Sequence, residues 1–143
     1  MNIDRAAIER LVPHAGAMCL LDAVTEWSDA MIVCTSRSPE FDHPLARDGR
    51  VPAIAATEYA AQATAVHGAL LEASGAPRAG MLATLVDVQL GAATIATDEG
   101  ALRVRAELLG RSAAGCMYRF EVGTRRTLVA SGRLTVALGD LEA

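Results

Sequence analysis

Two residues that can exchange protons with a substrate stand near the middle of the chain. His43 precedes a loop rich in proline and glycine, and Glu58 follows fifteen residues later within a run of alanines. An imidazole titrates near neutral pH and suits a general base. A carboxylate that is buried without a partner usually stays protonated, and a protonated glutamate can act as a general acid. The pair therefore predicts acid–base chemistry.

Other polar residues in the same region are weaker candidates. Gln62 lies one helical turn after Glu58, so the two predict a narrow polar stripe on an apolar helix. The alternative is structural, because both side chains could hydrogen-bond buried strand ends, and a lone loop histidine is more often structural than catalytic. His67 can interact with the helix C-terminus. His14, after Pro13, suits a turn.

The elements that must position these residues begin with one long helix. Residues 53–73 are dominated by alanine, the strongest helix former, with Pro52 at the start and Gly75 as a stop. Apolar residues lie on every side, which predicts a buried helix. A short helix with an aspartate cap is predicted at residues 4–11, and residues 39–52 are predicted to be loop.

The remaining sequence shows the two-residue alternation of β-strands. The linkers between the last strands are short enough for hairpins, and Gly132 predicts a bulge. Strands are predicted at residues 30–38, 81–90, 101–110, 116–123 and 127–138, after an extended segment at 18–24. This order predicts a single α+β domain, residues 1–143, in which an antiparallel sheet wraps around the long central helix.

Charge excludes one class of function and leaves another open. The formal net charge of −4 argues against a general nucleic-acid binder, which is normally basic. Residues 101–143 nevertheless carry seven arginines against four acids. The arginines are at positions 103, 105, 111, 119, 125, 126 and 133. They form either a basic face for an acidic partner or the solvated face of a sheet.

The three cysteines, Cys19, Cys34 and Cys116, are far apart and form no CxxC or Cys/His cluster. This indicates neither a disulfide framework nor a zinc site, and predicts reduced, buried thiols in a cytoplasmic protein. The charged N-terminal residues lack the apolar core of a signal peptide, and no run is long enough to span a membrane.

Three segments resemble the hotdog-fold 3-hydroxyacyl-ACP dehydratases of the FabZ/FabA class, and most closely the small dehydratases of polyene and unusual fatty-acid clusters. Residues 8–24, IERLVPHAGAMCLLDAV, resemble the opening segment of that family. Residues 41–63 resemble its active-site block of His, Pro/Gly loop, Glu and Ala-Gln, and residues 102–138 resemble its closing strands. The resemblance covers nearly the whole chain, and its specific part is the middle block.

This resemblance implies an enzyme that eliminates water from a (3R)-hydroxyacyl-[acyl carrier protein] and yields a trans-2-enoyl thioester. His43 would be the base that removes the C2 proton, and Glu58 the acid that assists departure of the C3 hydroxyl. Gln62 would support Glu58 or the helix entry. A backbone N–H at Pro52-Ala53 would polarise the thioester carbonyl at the helix N-terminus. The family pattern implies no metal and no organic cofactor.

The resemblance also implies partners. In this family the His and Glu of one site come from different subunits, which implies a homodimer or a heterodimer with another hotdog protein. The substrate would be an acyl-ACP or acyl-CoA thioester whose chain lies in an apolar tunnel beside the helix. The arginine-rich third would face an acidic acyl carrier protein. No nucleic acid and no membrane span are expected.

The chain departs from the family pattern at two glycines, since Asp42 precedes His43 and Ala53 follows Pro52. Two other functions stay open, and the replaced glycines motivate the second. One is a hotdog acyl-CoA or acyl-ACP thioesterase, in which Glu58 activates water. The other is a weakly active or non-catalytic hotdog subunit that partners an active dehydratase.

Overall fold

The fold is built on one antiparallel sheet that packs against one long helix. A computed structural model describes residues 3–11, 19–39, 43–71 and 80–138. The strands are β1 (Ile3–Asp4), β2 (Ala23–Ser28), β3 (Met31–Ser36), β4 (Gly80–Leu90), β5 (Leu102–Ser112), β6 (Gly115–Gly123) and β7 (Leu128–Leu138). The helices are α1 (Arg5–Leu11) and α2 (Ala56–Leu71), and a 3-10 turn (Ala53–Ala55) leads into α2. The strand order is β1-β2-β3-β5-β6-β7-β4, which confirms the predicted α+β arrangement.

The alternation in the last strands positions the core as predicted. Val104 and Ala106 of β5 and Phe120 of β6 are fully buried, whereas Arg103 and Arg119 are exposed on the opposite face. Both predicted hairpins are present, because β5 pairs with β6 and β6 pairs with β7, antiparallel in each case. The helix α2 packs against the buried face of this sheet.

The alanines of α2 allow the helix to lie close to the sheet. Ala56, Ala60 and Ala63 are fully buried, and α2 packs against β3, β5, β6 and β7. The helical region begins at Ala53, as predicted, and runs to Leu71. The predicted end and its glycine stop lie outside the described residues.

The prediction that this helix is buried on every side is wrong for one face. Residues at a spacing of four, three, four and three positions are exposed or half-buried, and we call them the open stripe. The open stripe consists of Ile54, Glu58, Ala61, Ala65 and Gly68. A Cβ added at Gly68 would meet nothing within 4 Å. The sheet of one chain therefore covers only part of the helix surface.

The N-terminal elements also follow the sequence. Asp4 caps α1, because its Oδ1 accepts the backbone N–H of Ala7 at 3.0 Å. The segment predicted only as extended continues into a regular strand, β2, which pairs with β3. The helix stop at Pro13 and the turn at His14 lie outside the described residues.

The bulge predicted at Gly132 lies in the neighbouring strand. β6 and β7 pair in register through Gly132, but the pairing of β4 with β7 shifts between Val86 and Gln89. Asp87, inside this step, has a φ of 55°, a left-handed conformation that aspartate tolerates better than most residues. A Cβ at Gly132 would lie 3.1 Å from the Cα of Val88. The glycine therefore makes room for the bulge.

All three cysteines are buried thiols, as predicted, and no disulfide joins them. In the part of the chain that the structure describes, no helix is long and apolar enough to cross a membrane.

Gly132→Ala should lower the free energy of unfolding by about 1–3 kcal/mol, because the new methyl group would press on backbone atoms that cannot easily move. The nearest are Val88 Cα at 3.1 Å and Val86 O at 3.2 Å. Gly110→Ala is the control, since its Cβ would meet nothing within 4 Å. Urea unfolding measures both variants, and equal stability of the two would contradict this account of the bulge.

Candidate active site

His43 lies in the loop that follows β3 and is held from both ring nitrogens. The backbone N–H of Leu45 donates to Nδ1 at 3.1 Å, and Nε2 lies 2.9 Å from the hydroxyl oxygen of Tyr59. The rings of His43 and Tyr59 are stacked, with centroids 6.0 Å apart and planes 20° apart. The imidazole is half-buried. Its orientation is therefore set within the chain.

Tyr59 is the site residue that the sequence reasoning missed. It occupies the first turn of α2, directly after Glu58, and only 1% of its surface is exposed. Burial raises the pKa of Tyr59 to about 12, against the opposing effect of a hydrogen bond with Ser36. A single tyrosine in an alanine helix, beside the candidate acid, was the signal available in the sequence.

A pocket of about 410 Å³ opens where His43 and Tyr59 meet. Arg5 and Arg37 line its rim, and Asp22 binds each of them at 3.2 Å. Burial acts to raise the pKa of Asp22, but the hydrogen bonds and charge of Arg37, with Arg5, outweigh it and lower the pKa. The pocket is therefore lined by polar and apolar side chains alike, and its two arginines share one aspartate partner.

Gln62 is placed differently from the prediction. Its side chain is 2% exposed, and its Oε1 accepts the backbone N–H of Leu20 at 2.9 Å. This bond fixes the chain before β2 to the middle of α2, which matches the structural alternative for this residue. The predicted shared polar face with Glu58 is wrong, because a glutamine amide must be paired when it is buried and this one is paired inward.

Glu58 faces away from the pocket, on the open stripe, and is exposed. The expectation of burial is therefore wrong for the isolated chain. No hydrogen bond or ion pair joins Glu58 to another residue among those described. Successive helical residues are about 100° apart around the axis, so Tyr59 and Glu58 point in different directions. One chain thus does not bring His43 and Glu58 together.

The backbone N–H at the start of the helical region is already hydrogen-bonded within the chain. The N–H of Ala53 donates to the carbonyl oxygen of Ala93 at 2.9 Å, and Pro52 forms a bridge with Thr94. The N–H predicted to polarise a thioester carbonyl is therefore engaged inside the chain. For Ala53 to take that role, its bond to Ala93 would have to open.

His67 is a core residue. It is fully buried, with Nδ1 at 2.7 Å from the Tyr118 hydroxyl and Nε2 at 2.7 Å from the carbonyl oxygen of Ser28. The carbonyl oxygen of Ser28 can only accept a hydrogen bond, so Nε2 carries a hydrogen. When the ring is neutral, Nδ1 therefore accepts the hydrogen bond from the Tyr118 hydroxyl. The predicted role at the helix C-terminus is thus replaced by a bridge from α2 to the sheet. His14 and Asp42 lie outside the described residues.

Among residues 3–11, 19–39, 43–71 and 80–138, no group of three or more His, Cys, Asp or Glu side chains is placed to hold a metal ion.

The packing of an antiparallel sheet on one long helix is that of the hotdog fold. The dehydratase heterocomplex ApeI:P from Xenorhabdus doucetiae matches with a TM-score of 0.80 at 26% identity, over 94% of this chain and 91% of that chain. A mutant of the thioesterase SAV0944 from Staphylococcus aureus matches with a TM-score of 0.64 at 15% identity, over 82% and 92%. A hypothetical thioesterase with coenzyme A from Streptococcus pneumoniae matches with a TM-score of 0.60 at 11% identity, over 84% and 87%.

The two thioesterases share the fold, and their low identity supports nothing further. None of the curated proteins matches the chain. The fold and the heterocomplex match define a hotdog protein of the dehydratase type. The ApeP dehydratase family, ApeP-like, matches residues 6–143, and the chain belongs to this family.

Burial lowers the pKa of His67 below its ordinary value of 6.5. The folded chain therefore binds fewer protons than the unfolded chain, and the unfolding free energy should fall as the pH drops below about 6.5. His67→Gln removes this titration, so its unfolding free energy should depend less steeply on pH between 7 and 5. Urea unfolding across that range measures the slopes, and equal slopes would rule out the effect.

Proposed function

We propose that this chain forms half of a dehydratase that eliminates water from a 3-hydroxyacyl thioester and yields the trans-2-enoyl thioester. The observation that carries the proposal is the family match over residues 6–143, together with His43 at a pocket and Glu58 on an uncovered helix face of the same chain. A hydro-lyase needs a base and an acid, and these two side chains supply both chemical types.

The proposed reaction uses the pair across two chains. His43 of one chain takes the C2 proton, and the released electron pair forms the C2–C3 double bond. The C3–O bond breaks, and the leaving hydroxyl takes a proton from Glu58 of the neighbouring chain and departs as water. Negative charge develops on the thioester oxygen during this step, so a donor near the helix N-terminus would stabilise it.

Two surfaces support the need for a second chain. The open stripe leaves apolar and small residues of α2 uncovered on the side that carries Glu58. The edge strand β4 exposes Leu85, Val86 and Leu90, between 38% and 48% each, and both faces of the strand are open between residues 84 and 90. An apolar edge strand of this kind is suited to pair with another strand. We therefore propose a dimer, with a second copy or with another hotdog protein.

The proposed substrate carrier is an acyl carrier protein, although an acyl-CoA would present the same thioester. Arg103, Arg125 and Arg126, against one carboxylate, Glu121, line a surface depression of about 250 Å³ at the turn between β6 and β7. Other arginines of this third serve the sheet itself, since Arg119 binds Glu107. The depression is the part best suited to an acidic carrier. The buried thiols suit the cytoplasm, which we include in the proposal.

A second candidate function is a weakly active subunit that completes an active partner. The match to a protein solved as a dehydratase heterocomplex favours it. In that arrangement this chain would supply one member of the pair, and another hotdog chain would supply the other.

The activity test uses a (3R)-hydroxyacyl thioester with the chain alone and with a co-expressed hotdog dehydratase partner. We expect the conjugated enoyl thioester to form, and His43→Ala or Glu58→Gln to lower kcat about 100-fold or more in the active assembly. Glu26→Gln, an exposed carboxylate on β2, is the control and should keep the wild-type rate.

The outcomes separate the alternatives. Restored turnover on mixing His43→Ala with Glu58→Gln chains would indicate sites shared in a homodimer. Turnover only with the partner would indicate the heterocomplex. Thiol release without enoyl product would favour a thioesterase, and a wild-type rate for His43→Ala would overturn the assignment of the base.

Val86→Lys should prevent assembly, because it places a charge on the apolar edge strand where a second chain would pair. Met117→Lys on β6 is the matched control, since Met117 and Val86 are each 42% exposed. Sedimentation velocity and co-purification measure assembly. In Val86→Lys, but not in Met117→Lys, both the assembly and the dehydratase rate should fall. An intact Val86→Lys dimer would show that β4 is not the interface.

A further inference from the structure

Residues 47–50 form a tight turn that sets two arginines side by side. Asp48 and Gly49 have φ values of 54° and 77°, as in a type I′ hairpin turn, for which Asp-Gly is a preferred pair. The N–H of Arg47 donates to the carbonyl oxygen of Arg50 at 2.6 Å, and the N–H of Arg50 donates to that of Arg47 at 3.1 Å. Residues paired in this way carry their side chains on one face, with Cβ atoms about 5 Å apart. We call Arg47 and Arg50 the arginine fork.

The arginine fork is unfavourable for the chain on its own. Like charges directly opposite each other on an antiparallel pair repel, and both side chains are exposed. Within the described ranges, no hydrogen bond or ion pair engages either guanidinium group, and the carboxylate of Asp48 binds neither. A local repulsion that no contact relieves is typical of a functional site. Here it indicates a site for an anion.

The arginine fork is held at a fixed place relative to His43. Before the fork, the N–H of Ala46 donates to the carbonyl oxygen of His43 at 2.9 Å. After the fork, Val51 is 2% exposed, and its carbonyl oxygen accepts the N–H of Ile95 at 2.9 Å. Arg47 follows His43 by four residues, so their Cα atoms are at most about 14 Å apart. The candidate base and the fork therefore lie on one short segment that is anchored at both ends.

The chemistry of two adjacent guanidinium groups favours a phosphate. Each guanidinium presents a planar set of N–H donors that matches the oxygens of a phosphate. The substrates proposed above contain such a group, because an acyl carrier protein and coenzyme A both hold the thioester through a phosphopantetheine arm. The phosphate of that arm is separated from the thioester by the length of the pantetheine. It therefore suits a site that is near His43 but is not among the residues that line the pocket.

We propose that the arginine fork binds the phosphate of the phosphopantetheine arm and so holds the carrier end of the substrate while the thioester lies in the pocket. This role rests on the proposed function for its substrate. It differs from the role proposed for the depression at Arg125 and Arg126, which would face the acidic surface of a carrier protein. Since both carriers share the phosphate, the fork would serve acyl carrier protein and coenzyme A alike.

The binding test compares 4′-phosphopantetheine with pantetheine, which lacks the phosphate, by isothermal titration calorimetry of the full chain in its assembly. Arg47→Gln with Arg50→Gln is the fork variant. Arg10→Gln with Arg119→Gln is the matched control, since it removes two positive charges from exposed arginines of α1 and β6.

The wild-type chain should bind 4′-phosphopantetheine more tightly than pantetheine. The fork variant should bind 4′-phosphopantetheine about 10-fold more weakly or worse, because charge-assisted hydrogen bonds are lost. The control should keep the wild-type affinity. Equal affinities of the fork variant and the control, or a wild-type chain without a preference for the phosphate, would overturn the proposal.

Steady-state kinetics separate the phosphate from the rest of the substrate. The fork variant should raise KM about 10-fold for both the coenzyme A and the carrier-protein thioester, with little change in kcat, because the fork is remote from the reacting atoms. The N-acetylcysteamine thioester, which has no phosphate, should be turned over equally by the fork variant and the wild type. A loss confined to the carrier protein would indicate protein docking, and a loss confined to coenzyme A would indicate its nucleotide; either would overturn the proposal.

The fork and the proposed function can fail separately. If no assembly converted a 3-hydroxyacyl thioester, the proposed function would fail, but the binding of 4′-phosphopantetheine would still decide whether the fork takes a phosphate. If the wild type showed turnover and the fork variant kept the wild-type affinity and KM, the fork alone would fail.

Discussion

The close contact between the alanine face of α2 and the sheet is the constraint on which the rest of the structure depends. Ala56, Ala60 and Ala63 are fully buried, so the rotation of the helix about its axis is fixed. That rotation points Tyr59 and Gln62 inward. Each inward polar group is paired, Gln62 with the Leu20 N–H and Tyr59 with His43. A buried polar atom without such a partner would be destabilising.

The same rotation explains why one chain keeps the two proposed acid–base groups apart. Once Tyr59 is directed to the pocket, Glu58 points about 100° away around the helix axis, which places it on the open stripe. A hydrogen bond and a stacked ring contact hold His43 next to Tyr59. The two acid–base groups are therefore separated by the geometry of the helix itself. In the proposed dimer, a second chain would bring its own Glu58 to this His43, with the open stripes of the two helices turned towards each other.

The sequence predicts the helices and strands well because the spacing of its apolar residues reflects directly which residues are buried. The two-residue alternation predicts β5 and β6, and the alanine run predicts the helical region from its first residue, Ala53. The sequence alone does not predict which helix face stays open, since Ala61 and Ala65 look the same as Ala60 and Ala63 in sequence. The pairing of His43 with Tyr59 joins residues of a loop and a helix, so it depends on tertiary placement. Gly132 indicated a bulge, but the extra residue lies opposite it in β4, because strand register is decided by both strands together.

The bulge at Asp87 also limits which strands can pair with the exposed edge of β4. A long, flat, apolar edge strand is prone to indiscriminate pairing, and natural edges avoid this with bulges and charges. β4 carries both, since Asp87 twists the strand and binds Arg133. The apolar side chains on either side of the bulge stay available, but a straight strand cannot lie along the whole edge. This shape disfavours open-ended pairing of identical edges and favours a partner strand of matching curvature.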